Sequence, residues 1–158
     1  MRKVKKMLGV RANCELALVI SVFDYNKCKG FNSMNVSKVF YLTAALFGLC
    51  GVVAGAIGAH MVQPGLSEVD SASYDTAVVY LFVHVLALLI VSTMLKFGNS
   101  WWSLKIAGFS LIGGILLFSG TILVRLIFEL RAPMFFAPLG GTLLMLAWGG
   151  LIVAAFND

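Results

Sequence analysis

The chain has 158 residues, of which 60% are hydrophobic and only 12% are charged, and its formal net charge is +5. In an ordinary soluble domain about a quarter of the residues are charged, so this composition excludes a typical water-soluble protein. Eight of the twelve Lys and Arg residues lie before residue 39. Beside a membrane helix such a cluster is typical of the cytoplasmic side, and we expect no binding to nucleic acid.

Residues 1–37 are predicted to form a basic cytoplasmic extension. The chain begins MRKVKK, as a signal peptide does, but the apolar run at 16–23 is short and no small-residue cleavage site follows it. Met34 is a second candidate start of translation, so we leave open whether residues 1–33 are present in the cell. Residues 38–158 are predicted to form one transmembrane domain.

Four long stretches contain no Asp, Glu, Lys or Arg: residues 39–67, 76–95, 106–124 and 132–157. Each reaches the roughly 18 to 20 residues that cross about 30 Å of hydrocarbon at a helical rise of about 1.5 Å. A soluble bundle would carry charges along one face of each helix, and these stretches do not. We therefore predict an all-α, polytopic membrane protein, a bundle of four transmembrane helices at about 38–61, 75–96, 104–128 and 134–156.

The first predicted helix carries a stripe of small residues at alternating steps of four and three: Ala44, Gly48, Gly51, Gly55 and Gly58. This spacing puts them on one face of the helix, where another helix can approach closely. In the third predicted helix, Gly113 and Gly120 are seven residues apart and offer a second such face. We predict that these glycines pack helices, either within one chain or against a partner.

Basic residues beside the helices predict the orientation of the bundle. The loop at 63–75 has no Lys or Arg, whereas Lys96 and Lys105 flank the second connection, and Arg125 and Arg131 flank the third. Basic residues are enriched in cytoplasmic loops. We therefore expect the second connection and both termini in the cytoplasm, and the first and third connections outside.

Polar side chains gather in the outer half of the predicted bundle: His60, Tyr80, His84, Ser119, Arg125 and Thr142. Ionisable residues within spans commonly face the bundle interior, and histidine can change charge near neutral pH, which favours a small polar pocket or a proton-handling site. The preferred interpretation is that neutral His84 only bonds another helix, with Ser119 or a backbone carbonyl as its partner, because no carboxylate lies within a span to relay a proton. Arg125 is expected to extend outward and to pair with Glu129 at i, i+4.

The residue types of familiar catalytic and metal sites do not occur at the required spacings. Cys14, Cys28 and Cys50 form no CxxC pair, and the two histidines lack a thiol or carboxylate at ligand spacing. The chain has no phosphate-binding glycine loop, serine nucleophile elbow or HExxH motif. We predict no enzymatic activity and no cofactor.

Four motifs follow one another along the chain: GAIGAH at 55–60, YLFVHVLALL at 80–89, GGILLFSG at 113–120 and APLGGTLLMLAWGGLI at 137–152. Together they resemble the YgdD-type family of small bacterial inner-membrane proteins. The resemblance extends from about Met34 to the C-terminus. It implies a four-helix protein of the bacterial inner membrane to which no activity is assigned.

Two functions from different classes stay open. The sequence favours a structural or accessory membrane protein whose glycine faces pack helices within the chain, against another membrane protein or against a second copy. The alternative is a small-solute or proton transporter or channel that uses the outer polar pocket. No carboxylate lies within the predicted spans to relay a proton, and this favours the first function.

Overall fold

The computed structural model describes residues 36–97, 102–129 and 135–156, and nearly all of these residues are helical. Four helices are long and apolar enough to cross a membrane, and we name them α1 to α4: Val36–Gly65, Glu68–Lys96, Trp102–Phe128 and Phe136–Ala155. The prediction of an all-α bundle with four membrane-spanning helices is confirmed. The predicted extension at 1–37 lies almost entirely outside the described residues.

Helix α2 begins at Glu68, about two turns earlier than predicted. Ser67 caps this end, because its hydroxyl oxygen accepts a hydrogen bond from the backbone N–H of Asp70. The carboxylates of Glu68 and Asp70 lie in the first turn, where the helix dipole favours negative charge. Helix α1 ends in a short 3₁₀ turn, Gln63–Gly65, and the chain then passes to α2. We call this end of the bundle the turn end.

Two helices contain a turn of π-helix. In α1 the regular α-helix Val36–Ile57 is followed by a π turn at Gly58–Val62. In α3 a π turn at Leu116–Gly120 separates Trp102–Ile115 from Thr121–Phe128. A π turn adds a residue to the helical circuit and changes the direction of the side chains that follow, and such turns are frequent at functional sites.

Helix α1 packs against α2 through small buried residues at steps of seven: Ser37, Ala44, Gly51 and Gly58. A seven-residue step keeps one seam facing the partner helix in a left-handed pair. Large side chains of α2 fill the space that the glycines leave, Leu81 against Gly51 and Tyr74 against Gly58. The two antiparallel helices form what we call the first hairpin.

Three buried hydrogen bonds join the helices of the first hairpin. The Ser37 hydroxyl donates to the Ser92 carbonyl oxygen at 2.9 Å, and the Ser92 hydroxyl donates to the Ser37 carbonyl oxygen at 2.8 Å. Nearer the turn end, the Tyr74 hydroxyl donates to the carbonyl oxygen of Ala54 at 2.6 Å. The two serines, Tyr74 and Ala54 are all buried. These bonds therefore give partners to hydroxyl groups that would otherwise be buried without one in an apolar interior.

Helices α3 and α4 form the second hairpin, which is packed through glycines. Gly140 lies so close to α3 that a Cβ atom there would overlap the backbone nitrogen of Phe118, and Gly114 receives the side chain of Leu144. Near the other end, a Cβ atom on Gly150 would lie 3.2 Å from the Cβ of Ala107. Among the described residues, no side-chain hydrogen bond joins α3 to α4. Close backbone approach therefore defines this pair.

The two hairpins meet at an apolar core. Phe40 of α1 lies over Gly108 of α3, and its ring meets that of Phe109 edge-on at 5.0 Å. Further buried apolar side chains surround this contact: Leu88, Leu104, Leu111, Ile115 and Leu144. The interior of the described bundle is thus filled mainly by hydrocarbon side chains.

The six glycines predicted to pack helices have different surroundings. An added side chain would make ordinary contact with α2 at Gly48 and a tight one with α4 at Gly113. Gly55 has nothing within 4 Å, and Gly120 meets only the Ile115 carbonyl oxygen of its own helix at 3.8 Å. The two positions where a side chain would collide with α2 are Gly51 and Gly58. The glycines that are seven residues apart therefore face α2 closely. The predicted stripe does not do so along its whole length, because Gly55 faces open space.

Candidate functional site

A cleft of about 590 Å³ lies between α2 and α4. Its lining includes three of the predicted polar residues, Tyr80, His84 and Thr142. Phe118 contributes from the π turn of α3, and Trp148 contributes from α4. The structure therefore brings half of the predicted polar set to one place, and adds two aromatic residues that were not among the predicted site residues.

The cleft opens sideways, between the two helices. Val79 and Val83 on α2 and Met145 on α4 line it and have 56%, 47% and 67% of their surface exposed. On a membrane-spanning helix, exposed apolar side chains of this kind face lipid. Pro138 and Gly141 lie on the α4 side, where small side chains leave the cleft room. A molecule dissolved in the bilayer thus has the most direct access.

His84 and Trp148 lie near the middle of their helices. His84 is nine residues from Asp75 and twelve from Lys96, which bound the ion-free part of α2. At a rise of about 1.5 Å per residue, His84 lies about 13 Å along the helix from the level of Asp75. Trp148 is the thirteenth of the 20 residues in α4. The contact between them is therefore deep within the hydrocarbon region.

The hydrogen bonds of His84 select one tautomer of the neutral ring. Its Nδ1 atom lies 2.6 Å from the carbonyl oxygen of Tyr80, which can only accept, so Nδ1 carries the hydrogen. The Trp148 indole N–H, which can only donate, points to Nε2 at 3.3 Å, so Nε2 is the acceptor. This pair of bonds connects α2 with α4. If Nε2 also carried a proton, its N–H would point at the indole N–H of Trp148, and two donors cannot form a hydrogen bond.

Four rings form a continuous aromatic wall in the cleft. The ring centroid of Tyr80 lies 4.9 Å from that of Phe118 and 5.5 Å from that of His84. The His84 and Trp148 rings meet edge-on at 6.3 Å. These separations fall within the range of favourable aromatic contacts. The Tyr80 hydroxyl makes no hydrogen bond with the residues that the structure describes.

The other three predicted polar residues lie outside this cleft. Ser119 is 1% exposed, and its hydroxyl has no hydrogen-bond partner within the described part of the chain. His60 is exposed on the π turn that ends α1. Arg125 pairs with Asp70 at 3.3 Å and not, as predicted, with Glu129. Glu129 has left-handed backbone geometry, with φ 52°, and ends α3, so the helical i, i+4 spacing does not extend to it.

A second cleft of about 590 Å³ extends toward the turn end. Glu68, Ser73 and Thr76 of α2 line it, together with Ile122 and Phe118 of α3. Because Phe118 belongs to both clefts, its ring marks the place where they meet. Ser73 and Thr76 donate their hydroxyl hydrogens to the carbonyl oxygens of Val69 and Ala72 in their own helix. Among the described residues that line this cleft, Glu68 is the charged one.

The sequence carried a signal for Trp148 but none for Phe118. An indole N–H within a span needs an acceptor, although the depth count that located His84 places Trp148 five residues deeper. Phe118 is a plain apolar residue in the sequence. Its place between the clefts depends on the π turn, which the hydrophobic pattern does not reveal.

These features define the class of the molecule: an integral membrane protein with four spanning helices and a lateral cleft. A family model described as a protein of unknown function, DUF423, matches residues 54–141. The chain is 31% identical over 120 residues to the UPF0382 membrane protein SAB0533 of Staphylococcus aureus, which covers 76% of this chain and 97% of the relative. No solved structure matches the chain.

A further relative comes from another genus. The UPF0382 membrane protein YwdK of Bacillus subtilis is 30% identical over 118 residues, which covers 75% of this chain and 96% of the relative. The chain belongs to the DUF423 family of UPF0382 membrane proteins. The resemblance to a family of small bacterial membrane proteins without an assigned activity is confirmed at this level.

Proposed function

We propose that this protein is an accessory membrane protein whose glycine-packed hairpins hold a binding cleft open to the lipid phase. The observation that carries the proposal is the position of Tyr80, His84 and Thr142: they line the cleft between α2 and α4, while the core between the hairpins is mainly hydrocarbon. Solute pathways are lined by polar groups or carbonyls along a pore. A lateral cleft suits a molecule that already resides in the bilayer. The proposal includes no catalytic step.

We also propose a location in the bacterial inner membrane, with both termini in the cytoplasm. The basic N-terminal residues together with Lys96 and Lys105 support this orientation. The four sequence motifs support a place among the YgdD-type proteins within the wider family. A second copy or another membrane protein is the partner that the glycine faces would accept, and Gly55, which faces open space, is the position available for it.

The alternative function, transport of a small solute or of protons, has one observation in its favour. The two clefts meet at Phe118, so a groove leads from Glu68 at the turn end to His84 near the middle of α2. If water filled this groove, His84 would lie within reach of solvent. The two functions therefore differ in what occupies the cleft.

Spin labels can distinguish lipid from water in the cleft. In a background that lacks Cys14, Cys28 and Cys50, a nitroxide is attached at Thr142→Cys in the cleft, or at Leu86→Cys on the exposed face of α2 as a control. We expect both labels to collide readily with oxygen, which concentrates in lipid, and rarely with a water-soluble nickel complex. Nickel access at position 142 but not at position 86 would overturn the proposal in favour of transport.

A further inference from the structure

We propose that the cleft binds a lipid-soluble molecule whose flat conjugated ring carries a carbonyl oxygen, the chemistry of an isoprenoid quinone. The inference rests on the proposed function, because such a ligand reaches the cleft only through the bilayer. The cleft volume of about 590 Å³ lies within the range of about 300 to 1,000 Å³ that is usual for small-molecule sites. The open side between Val83 and Met145 leaves a path for an apolar tail into lipid.

The aromatic wall favours a flat ring over an acyl chain. The Tyr80 ring is inclined by 36° to His84 and by 32° to Phe118, and at centroid separations of 5.5 Å and 4.9 Å it is stacked with offset against both rings. Trp148 lines the cleft from α4, and the Tyr80 and Trp148 side chains are 43% and 46% exposed. A conjugated ring against their exposed parts gains offset and edge-on contacts in addition to burial. An acyl chain gains only burial.

The hydrogen-bonding groups favour a carbonyl oxygen on that ring. The Tyr80 hydroxyl has no partner among the described residues, whereas the Trp148 N–H donates to Nε2 of His84. The Thr142 hydroxyl already donates to the Leu139 carbonyl oxygen at 2.7 Å. The uncommitted donor at the aromatic wall is therefore the Tyr80 hydroxyl, and a ligand oxygen that accepts is its complement.

Charge selects a neutral ligand. The described residues that line the cleft include no Asp, Glu, Lys or Arg, and the bonds of His84 require its neutral ring. A charged headgroup would lose its hydration at this depth without gaining a counter-ion. An uncharged ring carbonyl meets both conditions, whereas a phospholipid headgroup or a carboxylate does not.

Trp148 serves as the reporter for binding. Trp101→Phe and Trp102→Phe remove the other two of the three tryptophans, and the protein is placed in phosphatidylcholine vesicles. Decylbenzoquinone is added as the probe, and quinones quench indole fluorescence on contact. We expect quenching that saturates and that excess decylbenzene, which has the tail but no carbonyl, does not reverse. Quenching that rises without saturation would show mere partition into lipid and would overturn the inference.

Two glycines of α4 provide a matched pair of variants. The nearest atom to a Cβ added at Gly141 is 4.0 Å away on Phe118, so the phenyl ring of Gly141→Phe enters the cleft. Gly149 has nothing within 4 Å, so Gly149→Phe places the same ring in lipid. We expect the apparent affinity for the quinone to fall by at least about tenfold in the first variant and to stay unchanged in the second. Equal affinities in the two variants would contradict a site in this cleft.

A milder variant tests the hydrogen bond without filling the cleft. Tyr80→Phe keeps the ring and removes the hydroxyl, and we expect about fivefold weaker quinone binding, the usual effect of one lost hydrogen bond.

If phosphatidylcholine with brominated acyl chains quenches Trp148 and the quinone does not compete, the occupant is a lipid tail and the inference fails. In that case the spin-label result still supports a lipid-facing cleft, whereas nickel access at position 142 would remove both proposals.

Discussion

Both hairpins of this bundle pack through glycines, but among the described residues the first hairpin also has side-chain hydrogen bonds between its helices, whereas the second does not. In the first hairpin, the hydroxyls of Ser37, Ser92 and Tyr74 each donate to a carbonyl oxygen of the opposite helix. In the second, Gly140 and Gly114 admit parts of the facing helix, and no such bond occurs among the described residues. Hydrogen bonds fix one register because they are directional, whereas glycine contacts depend only on how closely the backbones approach.

This difference explains where the cleft lies. Among the described residues, the side-chain hydrogen bond from α4 to the first hairpin is the one between Trp148 and His84. Helix α4 otherwise relies on its contact with α3, and the side that faces α2 is left open. Helix α2 of the first hairpin supplies Tyr80 and His84 as one wall, and α4 supplies the other wall.

The largest effect is expected where backbone meets backbone. Gly140→Ala places a methyl group against the main chain of Phe118, which cannot move aside as a side chain can. We expect the free energy of unfolding in mixed micelles to fall by about 3 kcal/mol, at the upper end of the usual overpacking cost. Gly141→Ala is the control: its methyl group has no neighbour closer than 4.0 Å, and stability should be unchanged or slightly higher. Equal losses in the two variants would contradict the described packing of α3 and α4.

A smaller effect is expected from a hydrogen bond of the first hairpin. Tyr74→Phe leaves the ring against Gly58 and removes the bond to Ala54, so we expect a loss of about 1 kcal/mol in the free energy of unfolding. Tyr41→Phe removes a hydroxyl from an exposed side chain of α1 and should change stability little. If both variants lose the same amount, directional bonding does not distinguish the first hairpin from the second.

The smallest effect is expected at the link between the hairpins near the turn end. Arg125 and Asp70 form an ion pair at 3.3 Å, with side chains 42% and 35% exposed. Arg125→Gln should lower the free energy of unfolding by about 0.5 kcal/mol at low ionic strength, and the difference should shrink in high salt because salt screens exposed pairs. A loss that is the same at both salt concentrations would show that the arginine acts through packing of its apolar stem.

The spans could be predicted from sequence because charge is costly in hydrocarbon, and gaps between ionised residues therefore mark the helices directly. The start of α2 could not be found in this way. Between Glu68 and Asp75 the helix carries three carboxylates, which the charge pattern assigns to a loop although a helix outside the hydrocarbon tolerates them. The cap at Ser67, with Asp70 three residues later, was the local signal for the true start.

The site could be predicted only in part, for geometric reasons. Counting residues gives depth along a helix, and depth placed Tyr80, His84 and Thr142 at compatible levels. It does not give the rotation of one helix against another, so Ser119 at similar depth turns into the core. The ion pair of Arg125 depended on the early start of α2, which brings Asp70 within reach.

The reciprocal serine bonds bear on how the protein is synthesised and inserted. Every group in the three bonds of the first hairpin lies between residues 37 and 92. Ribosomes synthesise this segment before α3 and α4, so α1 and α2 can form these hydrogen bonds as soon as both have entered the bilayer. Nε2 of His84 gains its hydrogen-bond donor later, when Trp148 is delivered. The cleft is thus completed by α4, the helix that the ribosome makes after the other three.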